Sequence, residues 1–287
     1  MKEDIRLKIL NEFVSDDEIQ KLIKLKKLEQ YKESYNNGSA LLQSKLEDGW
    51  EIDAVLKSKT KISKDKPIDI LFKDKVWTLF AQLGFRLMNK SDCYFPYDKK
   101  DDSLVHKIDV FAKDDETVLI IKCISSKRNS IYHLDTEIEE IKSNKAGIIN
   151  SLHALFPHSK PKFKYIIATQ NIGISAEDDL ALSKVDGIHF SEDTIDYYYA
   201  LQSQLGSAAR YQLLGALFAG QEIPDLENRI PAIEGKMGGH TYYSFSIEPE
   251  KLLKIGYVLH RNKANENMMP TYQRLIKKSS KRNPQFC

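Results

Sequence analysis

Two groups of ionisable residues stand out for what they could do chemically. The first lies in residues 105–127, VHKIDVFAKDDETVLIIKCISSK, where Asp109 and Lys122 interrupt otherwise apolar segments. Val105, Ile108 and Val110 predict one strand, and Asp114-Asp115-Glu116 a polar turn. The run Val118-Leu119-Ile120-Ile121, continuing to Cys123 and Ile124, predicts a second strand buried on both faces. An unpaired ammonium inside such a strand is costly to bury, so Lys122 stands out against that reading. The second group is the segment from Lys251 to Cys287. It holds nine Lys/Arg against one acid, Glu266, and so carries +8 in a chain whose net charge is +2. A basic stretch of this kind can contact phosphate, with an affinity that falls steeply with salt. Arg261, Arg274, Lys277 and Lys278 are its candidate phosphate ligands.

The two-strand layout resembles the core of the PD-(D/E)xK, or restriction-endonuclease-like, superfamily. There an Asp ends one strand, and the next carries an acid, any residue and a Lys. The resemblance implies two carboxylates holding Mg²⁺ beside the scissile phosphate and a Lys that helps activate the attacking water. Asp109 matches the Asp. The acid-x-Lys positions are expected at Lys122 and Ile124, and neither residue matches. Mg²⁺ needs oxygen ligands, so Lys122 in place of the second carboxylate puts a positive charge where the cation would sit, paired with Asp109. The expectation is a degenerate site of Asp109, Lys122 and Ile124 without a cofactor. Mg²⁺, with Asp109 as its ligand, enters only in the alternative of an active endonuclease whose missing groups come from Glu116 or Lys127.

The rest of the chain must position these groups. Ser15 and Glu18 form a capping-box pattern that opens a helix over residues 15–35. Asn36-Asn37-Gly38 ends that helix, and a second helical stretch runs from Ser39 to near Gly49. The Lys-rich stretch 57–66 reads as a surface connection closed by Pro67. Residues 1–66 are therefore expected to be a helical N-terminal addition. Residues 72–86 predict a helix with Val76, Trp77, Phe80 and Leu83 on its apolar side and Gly84 at its end. Asp74, at the predicted start of that helix, would complement the helix dipole, and Trp77 would be a core residue. After the hairpin, Thr136 and Glu139 form a second capping box. The helix it opens carries Ile138, Ile141, Ile148, Ile149, Leu152 and Leu155. A strand at 163–168, a helix at 176–182, a strand at 187–190 and a helix through Tyr197-Tyr198-Tyr199 follow. His189 reads as a satisfied core histidine. This order predicts an α/β domain over 67–205, a restriction-endonuclease-like mixed sheet flanked by helices.

Residues 206–287 are expected to form a partial α+β domain. It would hold a helix at 207–219, a hairpin around Gly238-Gly239, a helix from Pro249 to His260 and the basic tail. The segments GSAARYQLLGALFAGQ, IPAIEGKMGGHTYYSFSIEPEKLLKIGYVLHR and PTYQRLIKKS resemble the opening of the DGQHR-domain family, related to the DNA phosphorothioation regulator DndB. That resemblance implies DNA as partner, together with DNA modification, its regulation or phage defence. The Asp-Gly-Gln-His-Arg signature itself does not occur in the 287 residues, so a C-terminally truncated member is expected. On the bare residues, Gly235, Gly238 and Gly239 are turn glycines, and Tyr242, Tyr243 and Phe245 lie on a strand.

Composition excludes several classes. No apolar stretch approaches the ~20 residues that span a bilayer. Met1-Lys2-Glu3-Asp4 does not lead into a secretory apolar region. The three cysteines, Cys93, Cys123 and Cys287, give neither a disulfide framework nor a zinc spacing. The expected setting is cytoplasmic. The expected function is a DNA-associated regulatory or defence protein that binds rather than cleaves, against the alternatives of a Mg²⁺-dependent endonuclease and a protein–protein scaffold.

Overall fold

A computed structural model describes residues 3–98, 101, 103–114, 117–157, 161–206 and 209–218, with two short strands at 236–237 and 240–241. The chain opens with α1 (Glu3–Asn11) and α2 (Asp16–Lys26). The Glu18 carboxylate accepts from the Ser15 N–H at 3.4 Å and the Ser15 hydroxyl at 2.8 Å, as the capping pattern predicts. The helix expected to reach residue 35 instead ends at Lys26. The next elements are β1 (Gln30–Asn36), α3 (Ala40–Glu47), β2 (Glu51–Val55) and β3 (Lys59–Asp65). Their three strands form an antiparallel sheet in the order β1-β3-β2, so the N-terminal addition is not purely helical. The Lys-rich stretch read as a connection is the central strand of this sheet. In it Thr60 and Ile62 are buried, while the Lys59, Lys61 and Lys64 side chains remain exposed. The alternation is real but carries only one strongly apolar residue.

α4 (Ile68–Gln82) follows and ends, as expected, at Gly84, whose φ of +86° suits a residue without a Cβ. Then come β4 (Leu87–Met88), β5 (Cys93–Pro96), β6 (Val105–Ile108), β7 (Val110–Lys113), β8 (Thr117–Ile131) and α5 (Asp135–Leu155). They are followed by β9 (Lys162–Gly173), α6 (Ala176–Ser183), β10 (Gly187–Phe190), α7 (Glu192–Leu205) and α8 (Ala209–Leu217). The main sheet has five strands in the order β10-β9-β8-β7-β4. β4, β7 and β8 are antiparallel neighbours, whereas β8, β9 and β10 run parallel through the α5 and α6 crossovers. The molecule is thus mixed α/β, with a mixed sheet covered by helices.

The apolar run in β8 is buried on both sides. Leu119 and Ile121 join one core with α2, α4, α7 and α8, while Val118 and Ile120 join a second core with α1, α5 and α6. The start of α5 departs from expectation. Its N-cap is Leu134, not Thr136, and the Leu134 N–H is satisfied from a distance by the Asp178 carboxylate at 3.3 Å. Gly147 on α5 lies so close to the chain after β5 that a Cβ there would fall 1.6 Å from the Tyr97 carbonyl oxygen.

In the C-terminal part, α8 occupies the expected helix, and β11 (Lys236–Met237) pairs antiparallel with β12 (His240–Thr241). The outer arms of the predicted hairpin, the helix from Pro249 and the proposed phosphate ligands Arg261, Arg274, Lys277 and Lys278 lie outside the described residues. Among the described residues, no helix is long and apolar enough to cross a membrane.

Candidate functional site

Asp109 sits in a break between two strands. β6 pairs with β5, β7 pairs with β8, and Asp109 is the bend between them. Across this one residue the chain changes face. Ile108 belongs to the α5-side core, and Val110, two positions on, belongs to the α4-side core. In a regular strand these two side chains would point the same way. The fully buried Asn89 secures the break. Its amide nitrogen donates to the Asp109 carbonyl at 2.9 Å and the Ser91 carbonyl at 2.6 Å, and its side-chain oxygen accepts from the Phe111 N–H at 2.8 Å. Trp77, itself a core residue as expected, donates its indole N–H to the Asn89 carbonyl at 2.7 Å.

The break sends the Asp109 carboxylate toward α4, where both oxygens find donors. Oδ2 accepts from the Cys123 N–H at 2.9 Å, and Oδ1 is 2.9 Å from the Lys73 ammonium on α4. Lys73 also reaches Asp92 Oδ1 at 2.7 Å, so one ammonium bridges two carboxylates. Lys107 closes the other side of Asp92 at 2.7 Å and stands 3.9 Å from Asp109. Burial alone would lower the Lys73 pKa, but Asp92 and Asp109 outweigh it and hold the amine above its ordinary value. Burial likewise pushes the Asp92 carboxyl up, and Lys107 and Lys73 more than reverse this, leaving it below the usual range.

Lys122 is not part of this cluster. It shares the parity of Val118 and Ile120 and so faces α5, where it is 3.1 Å from Glu140 and 3.5 Å from Glu137. The expected Asp109–Lys122 pair is therefore corrected: the two residues lie on opposite faces of the sheet, because the break at Asp109 turns its side chain but not that of its neighbour on β8. Ile124 lies with Lys122, packed against the α5-side core. By strand alternation, the residues of β8 on Asp109's face are Ile121, Cys123 and Ser125. None of these three side chains is charged. The lysine beside Asp109 comes from the preceding helix, a position the strand pattern could not flag.

Asp74 is also placed differently from expectation. α4 begins at Ile68, so Asp74 lies in its second turn, 6% exposed, instead of at the helix N-terminus. It pairs with Lys26 at 2.8 Å and Lys66 at 2.7 Å. Both the Asp74 cluster and the Lys73 cluster line a cleft of about 610 Å³ between α2, β1, α4 and the segment after β4. His189 donates to or accepts from Thr169 Oγ1 at 2.8 Å, the satisfied histidine that its strand position suggests, and burial lowers its pKa. Lys127 is exposed on the distal half of β8, and Glu116 lies outside the described residues.

The donor set does not suit Mg²⁺. Its two carboxylates, Asp109 and Asp92, are already held by Lys73, with the Cys123 N–H on the first and Lys107 on the second, so positive charge of the protein's own fills the site. Among the described residues, no three His, Cys, Asp or Glu side chains come together as metal ligands. No protein-family model, characterised protein or solved structure matches the chain.

Proposed function

We propose that residues 67–205 are a restriction-endonuclease-like core that has lost its cutting chemistry. On this reading the protein is a DNA-associated regulatory or defence factor of the DndB-like type that binds DNA without cleaving it. The order α4, β4, β7, β8, α5, β9 around one mixed sheet supports the fold reading, since it sets Asp109 immediately before β7, the antiparallel neighbour of β8, with a helix ahead of both. The observation that carries the functional reading is the Lys73 ammonium bridging Asp92 and Asp109 at 2.7 and 2.9 Å. A fixed cation of the protein stands where the resemblance implies a catalytic metal, so the fold's phosphate-facing surface is kept without its reaction. The cleft beside it carries Lys26, paired with Asp74, Lys90, paired with Glu18, and Lys32 on its lining together with Glu33, and these lysines are the groups that would meet a backbone.

Two assays on the full chain test this reading. Plasmid and single-stranded DNA incubated with Mg²⁺ or Mn²⁺ should remain uncut; robust cutting abolished by Asp109→Ala would overturn it. DNA affinity measured across a salt series should fall steeply as salt rises. An affinity that is absent or insensitive to salt would favour a protein–protein scaffold instead.

A further inference from the structure

The cleft beside Lys73 contains a feature that the degenerate nuclease site does not use. Asp74 on α4 faces two ammonium groups, Lys26 from α2 at 2.8 Å and Lys66 from the end of β3 at 2.7 Å, which leaves one positive charge in excess. The excess is well shielded from water, with the Lys66 side chain 5% exposed and that of Lys26 16%. Lys66 spends its donors inside the protein, on Asp74 and on the Leu25 and Lys26 carbonyls that end α2, at 3.2 and 3.3 Å. Lys26 donates to Asp74 and has donors left for the cleft. Beside them lies an aromatic face. Tyr31 lines the same cleft and is 37% exposed; its ring centroid lies 5.7 Å from the Lys66 ammonium and 6.2 Å from the Trp50 ring.

We propose that this cleft takes one nucleotide unit, with its phosphate against Lys26 and its base stacked on Tyr31. The inference deepens the DNA-binding reading and rests on it for the choice of ligand class. The volume of about 610 Å³ is that of a small-molecule site. A surplus cation shielded in this way favours an anion more strongly than a solvated lysine does, because less water screens it. An exposed tyrosine ring next to that cation suits a base, which presents a π-face whatever its identity. The shared chemistry admits a free nucleoside monophosphate or a nucleotide of a single strand, and competition separates the two sources.

The test uses the full chain, with calorimetry of adenosine monophosphate, adenosine and inorganic phosphate. The monophosphate should bind measurably tighter than either fragment. Lys26→Met should weaken it by roughly tenfold or more, the worth of a charge-assisted hydrogen bond. Tyr31→Leu, at a surface position, should weaken it by about fivefold or more, the lower end for one stacked base, and should leave phosphate binding unchanged. Circular dichroism melting checks that Lys26→Met is folded, and the Tyr31→Leu result stands even where it is not. No saturable binding of the monophosphate, or binding indifferent to Tyr31→Leu, would overturn the inference. An oligothymidylate that displaces the monophosphate makes the strand the ligand. Failure to displace it, with both variants still impaired, upholds the cleft for free nucleotide and counts against the DNA reading alone. Salt-dependent DNA affinity without monophosphate binding counts against the cleft alone.

Discussion

The two faces of the main sheet carry the same ion-pair arrangement in different surroundings. On the α4 face Lys73 meets Asp92 and Asp109; on the α5 face Lys122 meets Glu140 and Glu137. Each is one lysine between two carboxylates, and in each the carboxylates offset the burial that would lower the amine's pKa. The difference is what lies beyond them. Lys73 borders a cleft of about 610 Å³, whereas Lys122 borders a cavity of about 20 Å³, room for a single water. A lysine between two carboxylates is therefore no indicator of a site in itself. Only the pair that opens onto ligand-sized space can take part in binding, and it is the one a reading of β8 alone misses.

The largest expected effect falls on the α5 face. Gly147→Ala would drive a methyl group into the Tyr97 carbonyl, 1.6 Å from where the Cβ would stand. Since backbone must move, a loss of about 3 kcal/mol is expected by urea unfolding. α5 carries Glu137 and Glu140, so the Lys122 pairing should loosen while monophosphate binding by the folded fraction persists. Loss of both together would mean the two faces are mechanically one.

Next come the lysines themselves. Lys73→Met leaves Asp92 and Asp109 with only the half-exposed Lys107, 2.7 and 3.9 Å away, and with Asp109 only 12% exposed at its side chain it should cost roughly 2–3 kcal/mol. Lys122→Met removes a lysine whose side chain is 37% exposed, and about 1 kcal/mol is expected after allowing for solvent screening. Equal costs in paired unfolding curves would erase the distinction between the faces.

The smallest effect is in pH. Asp92's carboxyl is held below its ordinary value of 3.8 in the folded chain. A depressed folded pKa stabilises above the unfolded pKa, and that stability is lost as pH falls from about 3.8 toward the folded value. Asp92→Asn should flatten the fall in stability over that window. An unchanged slope would show that Asp92 draws nothing from Lys73 and Lys107.

Much of the fold could be read from strong periodicities. The apolar run of β8, the isoleucine and leucine spacing of α5 and the Gly84 stop of α4 each follow from many apolar contacts or one steric rule. The N-terminal sheet could not be read that way. β1 and β3 are polar strands with few buried positions, so no run of apolar alternation marks them. At the site, Asp109 was visible as an acid between strands, but its direction was not. A one-residue break exchanges the faces of everything beyond it, and the Asn89 bridge that secures it comes from a different segment. Lys73 carries no mark in sequence, since a lysine on a helix is ordinarily a solvated one.

The central claim is that the Lys73 ammonium holds the place of a metal between Asp92 and Asp109. Calorimetric titration of Mn²⁺ into the parent chain and into Lys73→Met tests it most directly. The account predicts no binding to the parent, saturable binding to Lys73→Met, and loss of that binding when Asp109→Ala is added. Mn²⁺ bound by the parent with Asp109 as ligand, or a folded Lys73→Met that binds none, would contradict it.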